Sequence, residues 1–182
     1  MKPHAIECEV RQRSEALVTF RHAERPNARY ASPVTRYYQL EPEVPGGLGP
    51  QVLMELRPDA YPLVQRPDLE FSYGYLGDDL LTTHPVYFVT TALAETLSAS
   101  ALTGFALSTD LEVSVDPQLL ELDPDWVPPS IEWLRVHGAP ERDDFGLTTD
   151  ASLIVSARAL DVLRSHRIRH CDIKPSGDIA AR

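Results

Sequence analysis

Short apolar runs broken by prolines, glycines and acidic turns make up most of this chain, and the period of each run indicates its element. Ala16–Phe20, Arg36–Leu40, Val52–Leu56 and Asp68–Tyr73 are brief and rich in aliphatic or aromatic residues, which predicts strands. The proline and glycine of Arg25-Pro26-Asn27 and Glu41–Pro50 predict loops between them. Gly46-Gly47-Leu48-Gly49 lacks both the lysine of a phosphate loop and the spacing of a dinucleotide fingerprint, so it reads as a turn. Sixteen prolines in 182 residues leave little room for long helices.

One pattern occurs twice. Asp78–Thr90 and Asp144–Ser156 align without gaps at an offset of 66, with Asp78/Asp144, Leu81/Leu147, Thr82/Thr148, Thr83/Thr149 and Val89/Val155 identical. Leu97/Leu163 continues the match, and Leu102/Ile168 and Leu107/Ile173 agree in character. Each segment reads as a buried strand (Val86–Val89, Ser152–Val155) followed by a hydroxyl suited to cap a helix, Thr90 or Thr91 and then Ser156. Short amphipathic helices follow, Ala92–Ser98 and Arg158–Ser165, and then a second apolar segment, Phe105–Leu107 and Cys171–Ile173. The expectation is an α+β fold with a mixed sheet, short helices and two pseudo-repeated strand–helix–strand units sharing one core. Val89, Leu93, Leu97, Leu102 and Leu107 then match Val155, Ala159, Leu163, Ile168 and Ile173.

The length suits a single compact domain over 1–182: a strand-rich part at 1–75, the units at 76–110 and 143–174, and an acidic, proline-rich connection at 111–142. Asp116–Pro129 reads as irregular, Ile131–His137 as a strand entering the second unit, and the tail after Lys174–Gly177 as frayed. No apolar stretch has the length of a membrane span, and Met1–Cys8 has no signal-peptide core, so a cytoplasmic protein is expected. Two cysteines, Cys8 and Cys171, are too few for a disulfide scaffold and fit a reducing compartment. The net charge of −10 is unevenly spread. Residues 40–150 hold 20 acidic and 4 basic groups, while both ends are basic. Without a coherent basic face, nucleic-acid binding is disfavoured, and an acidic middle suits a cationic protein partner.

Candidate chemistry is thin. There is no GxSxG elbow and no recognised signature around either cysteine. His166 and His170 flank two arginines, which oppose a bound cation, and the alignment turns Ile168 and Cys171 inward with both histidines at the surface. The pairs Asp78/Asp79, Asp123/Asp125 and Asp143/Asp144 leave a small hydrolase or metal-dependent enzyme open as an alternative. No cofactor, metal ligand or catalytic residue is assigned. Trp126 stands between Asp125 and Val127-Pro128-Pro129, the composition of a recognition loop, whereas Trp133 reads as core.

Phe88-Val89-Thr90 through Leu102-Thr103-Gly104-Phe105, echoed by Leu153–Ser156 through Leu163, resembles the C-terminal part of bacterial immunity proteins of the polymorphic-toxin and myxobacterial swarming-inhibition type. The paired CxxC motifs of some such proteins are missing, since only Cys8 lies near the N-terminus. The resemblance implies a small cytoplasmic protein that neutralises a cognate toxin by binding, with no catalytic residues. A toxin with a basic surface is then expected on the acidic middle, at Asp123, Asp125, Trp126, Glu132, Glu141 and Asp143.

Overall fold

The computed structural model describes residues 36–57, 60–72 and 74–178. The expected elements at Ala16–Phe20 and Arg25–Asn27, together with Cys8, lie outside the described residues. Within Pro33–Arg182, a single compact unit, the chain order is β1 (Tyr37–Glu41), β2 (Gly46–Leu48), β3 (Leu53–Arg57), β4 (Ala60–Arg66) and β5 (Asp68–Phe71). Then come β6 (Leu80–Thr83), β7 (Val86–Thr90), α1 (Thr91–Ala99), β8 (Phe105–Ser108), β9 (Glu112–Val115) and α2 (Pro117–Leu122). The last elements are β10 (Ile131–Val136), β11 (Phe145–Leu147), β12 (Leu153–Ser156), α3 (Ala157–Arg164) and β13 (Asp172–Pro175). The class is α+β, mostly strands in small sheets.

Two four-stranded antiparallel sheets form the body, in the orders β6-β7-β10-β8 and β11-β12-β1-β13. Three-stranded β2-β5-β9 contains a parallel pair, β5 with β9, and β3-β4 is a separate two-stranded ribbon. At β6 and β7 the β6-β7-β10-β8 sheet is covered on both faces, so both strands are buried at every position, while β8 and the end of β10 are partly open. Tyr87, Val89 and Leu134 face one cluster, which also holds Leu93, Leu97, Leu153, Val155, Leu160 and Leu163. Val86, Phe88, Ile131 and Trp133 face the other, against Leu69 and Phe71 of β5. All ten residues matched between the two segments, from Val89 to Ile173, belong to the first cluster or pack against it.

Three local expectations are corrected. Asp116–Pro129 is not wholly irregular: the Asp116 carboxylate caps α2 by accepting from the Gln118 amide at 2.8 Å, and Pro117 at the first helical position supplies a ready φ. The Gly46–Leu48 segment is a strand rather than a turn. A Cβ on Gly46 would lie 1.9 Å from the Glu70 carbonyl oxygen, so glycine permits the close pairing of β2 with β5. Ile131–His137 does not enter the second segment's sheet. β10 lies between β7 and β8, because alternate apolar side chains on both of its faces need cover on both sides.

The gapless alignment also slips by one. Val89 pairs with Leu80, and Val155 pairs with Phe145, so across the hairpins the offset is 65. The β11–β12 connection is one residue longer and passes through Ala151 at φ 60°. Asp144 therefore occupies the place of Asp79, not of Asp78, and the shared Leu-Thr-Thr letters do not share a register.

Candidate functional site

The paired carboxylates are tied into the backbone. Thr90 Oγ1 accepts from the Leu93 amide at the start of α1 and donates to Asp79 Oδ1 at 2.7 Å. Ser156 Oγ accepts from the Ala159 amide at the start of α3 and donates to Asp144 Oδ1 at 2.6 Å. The other oxygen of Asp144 accepts from the Thr103 amide at 3.0 Å and meets the exposed Arg158 guanidinium at 3.3 Å. Asp143 holds the 139–143 turn through the Ala139 amide at 2.9 Å. Buried Asp68 accepts from the Gln51 amide and the Ser114 hydroxyl, each at 2.9 Å. These carboxylates pair the buried Thr90 and Ser156 hydroxyls and tie exposed amides such as that of Thr103 into the fold.

Glu43, Asp78 and His170 bring ligand atoms within 4.8 Å of one another. The fold assembles this trio from three segments, Glu43 lying 35 residues before Asp78 and His170 lying 92 after it, which is why no local motif marks it. Both carboxylates are buried and already occupied. Glu43 accepts from the Asp78 amide at 2.8 Å and from the Leu76 amide. Asp78 accepts from the His170 amide at 2.6 Å, stands 3.2 Å from His170 Nδ1, and lies 3.9 Å from the Arg167 guanidinium. That cation and those donors make the trio a latch between the β6 approach and the 166–170 segment. His166 is less exposed than the alignment implied, with its Nε2 2.8 Å from Thr96 Oγ1. Cys171 packs beside the main core, and burial pushes its thiol up to about 12, far from a reactive thiolate.

The six residues expected to bind a partner do not converge on one element. Asp123 and Asp125 are exposed just after α2, where the Asp123 amide closes the helix on the Leu119 carbonyl. Trp126 is half-buried, its ring 5.5 Å from that of Phe71, so it anchors this loop to the second core cluster. Glu132 lies on β10, with its side chain on the face opposite Trp133. Glu141 and Asp143 sit in the β10–β11 connection, where Glu141, at φ 62°, accepts from the Ser176 hydroxyl at 3.1 Å.

The exposed apolar side chains, which the sequence alone did not single out, are unevenly distributed over the fold. Among the described residues, the exposed large hydrophobics are Val44, Leu53, Met54, Leu56, Leu63, Leu76, Val113, Leu120, Leu122 and Val127. Every one lies outside the two four-stranded sheets and their helices, on the segments that build β2–β5, β9 and α2. Leu56 is 79% exposed, and β3 is exposed at every residue. The base of the β3-β4 ribbon is fixed beside β9, where Arg66 meets Glu112 at 3.4 Å. The same segments, 42–79 and 109–130, hold 13 acidic residues and 2 basic ones. The signal was present in the consecutive apolar letters of Val52–Leu56, which do not alternate as a half-covered strand would.

No protein-family model matches this chain, and comparison with curated proteins and with solved structures gives no match.

Proposed function

We propose that this chain is an immunity-type protein that binds a cognate bacterial toxin in the cytoplasm and neutralises it by occlusion. The observation that carries this reading is the segregation of exposed apolar side chains onto one strongly acidic set of elements, away from both body sheets. Apolar anchors on acidic segments suit a partner with a basic surface: the anchors give desolvated contact, and the charges speed encounter. Asp123 and Asp125 belong to that set, and Trp126 holds their loop in place.

We read the body as two copies of one unit that exchange their leading strands, and the registers support this. Leu134 of β10 pairs with Tyr87 and Leu107, while Leu40 of β1 pairs with Leu153 and Ile173. The two copies then make a rigid support for the inserted acidic elements.

The test is co-expression with each protein domain encoded by the adjoining genes, reading toxicity, growth rescue and complex formation by size-exclusion chromatography. The parent protein restores growth and co-elutes. Leu56→Lys combined with Asp123→Lys and Asp125→Lys weakens the complex at least tenfold, which corresponds to about 1.4 kcal/mol, with the melting temperature unchanged. Absence of both rescue and complex with the parent protein refutes the reading. Among the described residues, a small hydrolase or metal-dependent enzyme is favoured by the Glu43–Asp78–His170 trio alone. Stabilisation by zinc or magnesium that is lost in His170→Ala would move the assignment there.

A further inference from the structure

We propose that the cleft between β4 and the outer face of the β6-β7-β10-β8 sheet is a binding site for a small organic carboxylate with an apolar body. The cleft holds about 580 Å³, within the roughly 300–1,000 Å³ of sites that enclose small molecules. Leu63 and Val64 of the ribbon form one wall, Trp133 and Ala106 lie on the sheet side, and Arg135 and His137 stand on the same strand, β10. Apolar surface dominates, with few polar groups to orient a guest.

Arg135 determines the sign of that guest. Its guanidinium lies 4.7 Å from the centre of the Trp133 ring, an arrangement that presents a planar fork above an aromatic surface. Arg66, Arg158 and Arg167 each have a carboxylate within 4.0 Å, whereas among the described residues Arg135 has none. Arg36, Arg57, Arg142, Arg164 and Arg169 also lack one, and of these six arginines only Arg135 lines the cleft. A carboxylate can take both N–H groups of the fork, while its apolar part lies over Trp133 and against Leu63. One arginine matches one negative charge, and the acidic surroundings disfavour a more highly charged anion. The cleft adjoins the proposed toxin-binding surface and shares Leu63 with it, but the group that selects its guest, Arg135, lies on the sheet.

Decanoate is the probe, with decanol and decyltrimethylammonium as neutral and cationic counterparts of the same chain length. Trp133 fluorescence is followed in a Trp126→Phe background of the full chain. Decanoate should bind saturably below about 1 mM and at least tenfold more tightly than either counterpart. Arg135→Gln should remove that preference and Arg135→Lys should retain part of it. Ala106→Glu, at an exposed position paired with Arg135 across the strands, should abolish decanoate binding by supplying an internal carboxylate. Equal affinity for decanoate and decanol, unchanged binding in Arg135→Gln, or no saturable response overturns the proposal.

Discussion

Removing Asp144 tests whether the capped junction between β12 and α3 is a coupled unit. Ser156 is 1% exposed and performs two tasks through one oxygen, capping α3 and donating to Asp144 at 2.6 Å. Ser156→Ala loses a cap, about 1 kcal/mol, and a hydrogen bond to a charged group, about 1.5–3 kcal/mol. Because Asp144 keeps Thr103 and Arg158, the net cost should be about 2–3 kcal/mol. Asp144→Ala loses the same serine bond and the Thr103 amide bond, plus an exposed ion pair worth a few tenths of a kcal/mol, so about 3 kcal/mol is expected. The bond between them is counted in both, and the double variant should fall short of the sum by about 1.5 kcal/mol. Urea unfolding of the four proteins, with slopes checked for equality, measures this. Additivity within about 0.5 kcal/mol would refute the coupled junction.

Two further outcomes follow from burial and registry. Burial raises the Cys171 thiol from near 9 to about 12 and the Tyr87 phenol from 10 to about 12, so both favour the folded state while protonated. Their contribution is complete below pH 9 and is lost as the pH climbs toward 12. The urea midpoint should therefore fall between pH 9 and 10, and less steeply in Cys171→Ala. Leu40 and Leu134 are each 1% exposed and central in their sheets, so Leu40→Ala and Leu134→Ala should each cost about 2–5 kcal/mol. If the exchanged strands are equivalent, the two costs match within about 1 kcal/mol in single cooperative transitions; separate transitions for the two variants count against the exchange.

What the sequence revealed was local. Val86–Thr90 and Leu153–Ser156 could be read as buried strands with a capping hydroxyl because run length and cap chemistry are written within a dozen residues. Partner choice is not written that way. Nothing in Ile131–Val136 states that its neighbours are β7 and β8, and nothing in Tyr37–Glu41 names β12 and β13. The latch of Glu43, Asp78 and His170 is not written in any local stretch for the same reason. The ribbon's apolar letters indicated a strand, yet period alone does not tell whether a face is covered, and there it is open. The short helix α2 was hidden by its prolines, one of which starts the helix.

The placement of β1 also sets a timetable for synthesis. Leu40 pairs with Ile173, so β11-β12-β1-β13 cannot be completed until 133 further residues have been made. At about 5–20 residues per second, that is a wait of roughly 7–27 s. Until β12 has been made, Tyr38 and Leu40 have no sheet neighbours, and until β13 follows they have only one, while the β6-β7-β10-β8 sheet can already close once β10 has emerged. The nascent chain thus presents a ready half and a waiting strand. Chaperone demand, and the yield lost to aggregation, should concentrate on that strand.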